Sequence, residues 1–220
     1  FINYFSEARR YPEKGSYEAR VRSDRSQVEQ FMQHNADEPL EVSPDRINPN
    51  LLGENAYVKT AVGLALLRDE ILGAQAFDES LREYTRRWAF KHPSPSDFFK
   101  TMEDVSGKRL DWFFREWFLE NPHFDLAIDT VAHKQVGDVD SVAVLFVNHA
   151  RGVLPIRARF TFADGTTQDF NYPAEVWSTN TTAYVRRYEF RGKKMTKLQL
   201  DPDNQLLDID RANNVWPRGG

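Results

Sequence analysis

ENAYVKTAVGLALLRDEILGAQAFDESLREYTRRWAFKHPSPSDFFKTMEDVSGKRLDWFFREWFLE, residues 54–120, is the stretch on which the reading of the fold turns. Tyr57, Val58, Ala61, Val62, Ala65, Leu66 and Leu72 recur at intervals of three and four, which predicts an amphipathic helix with those residues on its inner face. Phe77, Leu81 and Tyr84 mark a second helix. A third follows Pro95 as Ser96-Asp97-Phe98, with Glu103 and then Ser106-Gly107 after it. The fourth carries Leu110, Phe113, Phe114, Trp117 and Phe118, spaced to face a core rather than to form an aromatic ligand platform. Glu103 and Asp104 are neighbours in sequence and point apart on a helix, so paired acid–base work is not predicted for them. His92, ahead of Pro93, reads as a helix-terminus histidine.

Upstream, Phe1 to Phe5 begins on apolar and aromatic residues with no capping residue before them. Residues 15–35 are polar and rich in arginine, with Tyr17, Val21, Val28, Phe31 and Met32 on one side, and predict a surface helix pair. Asp24 and Glu29 interleave with Arg20, Arg22 and Arg25, so those arginines read as a solvated face. Pro39 to Leu52 holds three prolines among Asn and Asp and predicts an irregular loop. A loop placed just ahead of Tyr57 could line a substrate cleft.

Downstream, the composition shifts at Asn121-Pro122 and the apolar period changes from 3.6 to 2. Phe124, Leu126 and Ile128 alternate with Asp125, Ala127 and Asp129. Val142, Val144 and Phe146 follow the same rule, as do Leu154, Ile156, Ala158, Phe160 and Phe162. Turn signals at Ala163-Asp164-Gly165 and Arg191-Gly192 separate short strands and point to an antiparallel sandwich. The sequence divides as a helical part over 1–120, a β-sandwich over 121–212 and a frayed tail over 213–220.

The chain has 220 residues, a net charge of -4, 40% hydrophobic and 13% aromatic residues, and no cysteine. That describes an ordinary globular protein with no basic footprint for nucleic acid. No apolar run approaches the ~20 residues that span a bilayer. Without cysteine there are no disulfides, thiol catalysis or thiolate metal sites. The five histidines, His34, His92, His123, His133 and His149, form no H-x-x-x-H pair. Asn180-Thr181-Thr182 fits the N-x-[ST] acceptor pattern, which arises often by chance.

The order of side chains from Tyr57-x-Lys59 through Phe77…Tyr84 and Asp97-Phe98…Glu103…Ser106-Gly107 to Leu110…Phe113-Phe114…Trp117 resembles the later half of the catalytic domain in the alanyl-aminopeptidase (aminopeptidase N) family of zinc metallopeptidases. The resemblance implies the helical part of a thermolysin-like catalytic domain followed by an immunoglobulin-like β-sandwich, that is, a multi-domain α and β chain. It implies that Tyr57, at the tyrosine of the family's Tyr-x-Lys-Gly motif, donates its phenol to the carbonyl oxygen as negative charge develops there. Thr60 stands where that motif has Gly. The alternative for Tyr57 is a core tyrosine with a buried partner, and for Lys59 an ion pair with a nearby carboxylate.

The family holds zinc through H-E-x-x-H and a further Glu, neither of which is present. The expectation is therefore a fragment whose parent carries the zinc upstream, with Phe1 falling a few residues past the third ligand or simply at an arbitrary chain start. The fragment itself would hold no zinc and hydrolyse nothing. Its partners would be the missing N-terminal catalytic portion and the peptide substrate. A periplasmic or exported parent is expected, though no residue pattern fixes the compartment. The rival readings are a non-catalytic peptidase-like scaffold that binds protein and, leaving the helical half unexplained, a carbohydrate-binding sandwich.

Overall fold

The computed structural model describes residues 1–34, 38–121 and 123–218. Asn35, at the end of the expected helical segment, Pro122, at the expected composition boundary, and Gly219 and Gly220 lie outside them. The chain divides into two compact units, Phe1–Pro122 and His123–Gly220, the first helical and the second built of two antiparallel sheets.

In the helical unit, α1 spans Ile2–Arg10 and α2 spans Tyr17–Gln33. Ser16 caps α2 by accepting the Ala19 N–H at 3.3 Å, and Val21, Val28 and Met32 are buried along one side. The expected helix pair is thus one continuous helix, because no Gly or Pro interrupts residues 17–33. Its arginines are also less solvated than expected. Arg25 is buried, Arg20 pairs with Glu7, and Arg22 alone of the three is exposed.

The central helix runs without a break through a π-helical segment, Gly53–Lys59, then α3, Thr60–Leu66, then a second π-helical segment, Leu67–Leu72. Ala61, Val62, Ala65 and Leu66 are buried, as the period predicts, whereas Val58 and Leu72 are half-buried and Leu67, off the expected inner face, is buried as well. Gly73, at φ 84°, ends this helix and allows α4, Ala74–Trp88, to begin. Ser94 and Asp97 form a capping box on α5, Pro95–Ser106, whose C-cap is Gly107 at φ 67°. The last helix is α6, Asp111–Phe114, continued by a π-helical turn, Arg115–Leu119.

Phe113, Phe114 and Trp117 turn into the core, and Phe114 stacks on Phe99 with ring centroids 4.2 Å apart. Glu103 accepts the Leu110 N–H at 2.6 Å and Asp104 pairs with Arg87 at 3.0 Å, so the two carboxylates are held apart. His92 is exposed and lies past the end of α4 rather than at its terminus.

The second unit contains β1, Leu126–Val136; β2, Val139–Asn148; β3, Ile156–Phe162; β4, Thr167–Tyr172; β5, Ala183–Arg191; β6, Met195–Leu200; and β7, Val215–Trp216. One sheet has the order β1-β2-β5 and the other β4-β3-β6-β7. Alternation is clear in β2, where Val142, Val144 and Phe146 are buried, and in β3, where Ile156, Ala158, Phe160 and Phe162 are. Phe160 and Phe162 of one sheet meet Tyr188 and Phe190 of the other at centroid distances of 4.6–5.1 Å. The stretch expected to fray contributes β7, in which Trp216 pairs with Leu198. Aromatic and β-branched side chains suit a sheet surface even in so short a strand.

Candidate functional site

Tyr57 sits in the first π-helical segment and is 72% exposed. The reading of Tyr57 as a core tyrosine fails on that observation. A π-helical turn is wider than an α turn, because its bonds run from i to i+5. The apolar period that holds from Ala61 onward therefore slips out of phase before it. The inner positions of this turn are Asn55 and Lys59, both buried. Tyr57, two residues from each, falls on the opposite side.

Lys59 is almost wholly buried, and its Nζ donates to the Glu38 carbonyl at 2.9 Å and to Asn121 Oδ1 at 2.6 Å. At these two bonds Lys59 meets neutral oxygens, a backbone carbonyl and an amide. Glu38 is tied in turn by its own N–H, which donates to Asn55 Oδ1 at 3.2 Å, and by its carboxylate, which accepts the Asn48 N–H at 3.4 Å. The Glu41 N–H donates to the Phe118 carbonyl at 2.8 Å. Thr60, which follows the π-helical segment directly, is half-buried, and its hydroxyl donates to the Asn55 carbonyl at 3.2 Å.

The proline-rich loop over 38–52 is thus laced to the turn that carries Tyr57 on one side and to the end of the helical unit on the other. An exposed phenol on a rigid, multiply anchored turn is suited to donate one hydrogen bond to an acceptor brought to it. Glu38, Asn55 and Asn121 do not stand out in the sequence. The signal that could have found Asn55 is its position four residues before Lys59, on the same helical face.

Other features lie elsewhere. A groove of about 430 Å³ in the helical unit is lined by residues that include Phe99, Trp112, Phe114 and Leu119, with Lys100 and Arg115 beside them. Neither Tyr57 nor Lys59 is part of its wall. Among the described residues no group of three or more His, Asp or Glu side chains gathers as a metal would require. In the second unit His133 pairs with buried Asp140, which also accepts the Met195 N–H at 2.7 Å. Asp208 is buried, accepting from Asn214 Nδ2 at 2.8 Å and from the Asp210 N–H at 2.9 Å. Burial, and to a smaller degree Asp125, push its carboxyl up to about 6, against the bonds from Asn214 and Asp210 that pull it down.

No protein-family model matches this chain, and no curated protein matches it either.

Proposed function

We propose that this chain forms part of a zinc aminopeptidase of the alanyl-aminopeptidase type, to which it supplies the phenol of Tyr57 and a wall of the substrate cleft. In this reading the helical unit is the later part of a thermolysin-like catalytic domain and the paired sheets are an immunoglobulin-like domain. The observation that carries it is the exposure of Tyr57 on a turn whose two inward neighbours, Asn55 and Lys59, are buried and hydrogen-bonded.

Among the described residues no side chains gather as a zinc ion requires, so metal ligands and general base would belong to another part of the parent. What the chain offers to peptide hydrolysis is a donor. As the carbonyl carbon becomes tetrahedral, charge collects on its oxygen, and the Tyr57 O–H donates a hydrogen bond that strengthens with that charge. The buried contacts of Lys59 hold the turn so that little reorganisation is needed.

The test is hydrolysis of aminoacyl-nitroanilides by the full-length parent, wild type beside Tyr57→Phe, with zinc measured on both. A fall in kcat of ~10²–10³ at unchanged zinc content is expected for losing one oxyanion donor. A parent that holds zinc and cleaves equally well as the Phe variant removes the role of Tyr57. A second reading, a protein-binding scaffold, draws on Phe90, which is fully exposed and held at φ 62°, a conformation that costs a bulky residue free energy. A parent without zinc would favour it.

A further inference from the structure

Strand β5 is the outer strand of its sheet, with β2 on one side and, among the described residues, no strand on the other. The ladder register decides which of its backbone groups are free. The Asn148 N–H donates to the Thr182 carbonyl at 2.9 Å and the Gly192 N–H to the Asp138 carbonyl at 2.7 Å. Between these two bonds the pairing is regular, with Val142 opposite Tyr188 and Leu145 opposite Val185. Residues of an antiparallel strand alternate in the side to which they turn both backbone groups. Tyr184, Arg186, Tyr188 and Phe190 therefore face β2, and Val185, Arg187, Glu189 and Arg191 present N–H and C=O to the open edge.

The charge along this edge departs from the rest of the molecule. The whole chain carries -4, yet residues 186–194, RRYEFRGKK, hold five cations and one carboxylate. Arg186, Arg187, Arg191 and Lys194 are exposed, and Arg191 pairs with Asp138 at 3.2 Å. Beside the edge runs a groove of about 400 Å³ whose walls include Phe170 and Tyr172 of β4 and Arg186, Tyr188 and Phe190 of β5. Like charges on an outer strand discourage pairing with another copy of itself. The same charges favour a strand of opposite sign.

We propose that β5 docks an extended acidic peptide segment as an added antiparallel strand, bonded to the outward backbone groups of Val185, Arg187, Glu189 and Arg191. The proposal is independent of the role of Tyr57. The register specifies a probe, acetyl-Glu-Val-Thr-Val-Glu-Asp-Val-amide. Its two glutamates lie opposite Arg191 and Arg187, its aspartate opposite Arg186, and two valines reach toward the groove.

Labelled probe is titrated into the full chain by fluorescence anisotropy, with backbone amide shifts followed by NMR. Saturable binding that moves the amides of Val185, Arg187 and Glu189 and weakens with salt is expected. Val185→Pro removes one outward N–H while leaving the bonds to β2 in place, and should weaken binding about tenfold or more. Arg187→Glu, at an exposed side chain, should do the same and serves as the second variant if the proline perturbs the sheet. No saturable binding overturns the proposal. So does binding insensitive to Arg187→Glu, or binding weakened by that change but untouched by Val185→Pro in a folded protein, as a heparin oligosaccharide attracted by charge alone would behave.

Discussion

Gly63 and Trp117 offer the sharpest test of the packing in the helical unit. A Cβ built on Gly63 would lie 1.9 Å from Trp117 Nε1, 2.3 Å from Cε2 and 2.6 Å from Cδ1. Such distances are impossible, so Gly63→Ala must displace the indole. Trp117 has little room to yield, since it is buried and stacks on Phe113 with rings 7° from parallel. Overpacking of this kind costs ~1–3 kcal/mol, here at the upper end. Alanine returns about 1 kcal/mol through its better helix propensity. The expected net loss is ~2 kcal/mol, or a thermal midpoint lower by roughly 6–10 °C for a unit of this size.

Urea unfolding followed by tryptophan fluorescence and far-ultraviolet circular dichroism measures it. The attribution is checked by a cycle with Trp117→Phe, which shortens the ring system that meets the new methyl. The double variant should recover at least ~1 kcal/mol relative to the sum of the single changes. Gly63→Ala as stable as wild type, or strict additivity in the cycle, would refute the close approach of α3 to Trp117.

Three further outcomes follow from the geometry. Lys59→Met, which removes the donor to the Glu38 carbonyl and Asn121 Oδ1, should destabilise the helical unit by ~2–3 kcal/mol and speed amide exchange at Glu41 in the loop it anchors. Ser94→Ala should cost about 1 kcal/mol in chemical denaturation by breaking the capping box of α5. Asp208 holds its proton to about pH 6 when folded, against an ordinary value of 3.8. Unfolding therefore releases a proton between those values, and the stability this group contributes is present below about pH 4 and lost as pH rises through about 6. The loss is roughly 3 kcal/mol at most, and Asp208→Asn should flatten that part of a stability–pH profile.

Much of the fold was legible because the decisive signals are local. The boundaries near Pro95 and Gly107 follow from residues that start or end a helix, and the alternation in β2 and β3 reports a sheet with one buried face, whereas the central helix, expected to close at Arg68-Asp69, runs on to Leu72 and ends at Gly73. What escaped depends on backbone geometry or on distant partners. The π-helical turn at Gly53–Lys59 moves Tyr57 out of the apolar phase, and periodicity counted at 3.6 residues cannot register that. Lys59 finds Glu38 and Asn121, 21 and 62 residues away, with nothing nearby in sequence to announce either. Strand β7 is only two residues long, too short to show a period, and is held by its pairing with β6.

The bond from Lys59 to Asn121 also carries a timing constraint on biosynthesis. The two residues are 62 positions apart, and translation proceeds at about 5–20 residues per second. For roughly 3–12 s, then, the nascent helix carries an ammonium group whose amide acceptor has not yet been made. Until that acceptor arrives the lysine has only upstream oxygens to bond, the Glu38 carbonyl among them, and the bond to Asn121 is the later of the two to form. The helical unit is in this sense sealed by the last residues of its own segment, as a late event of chain elongation.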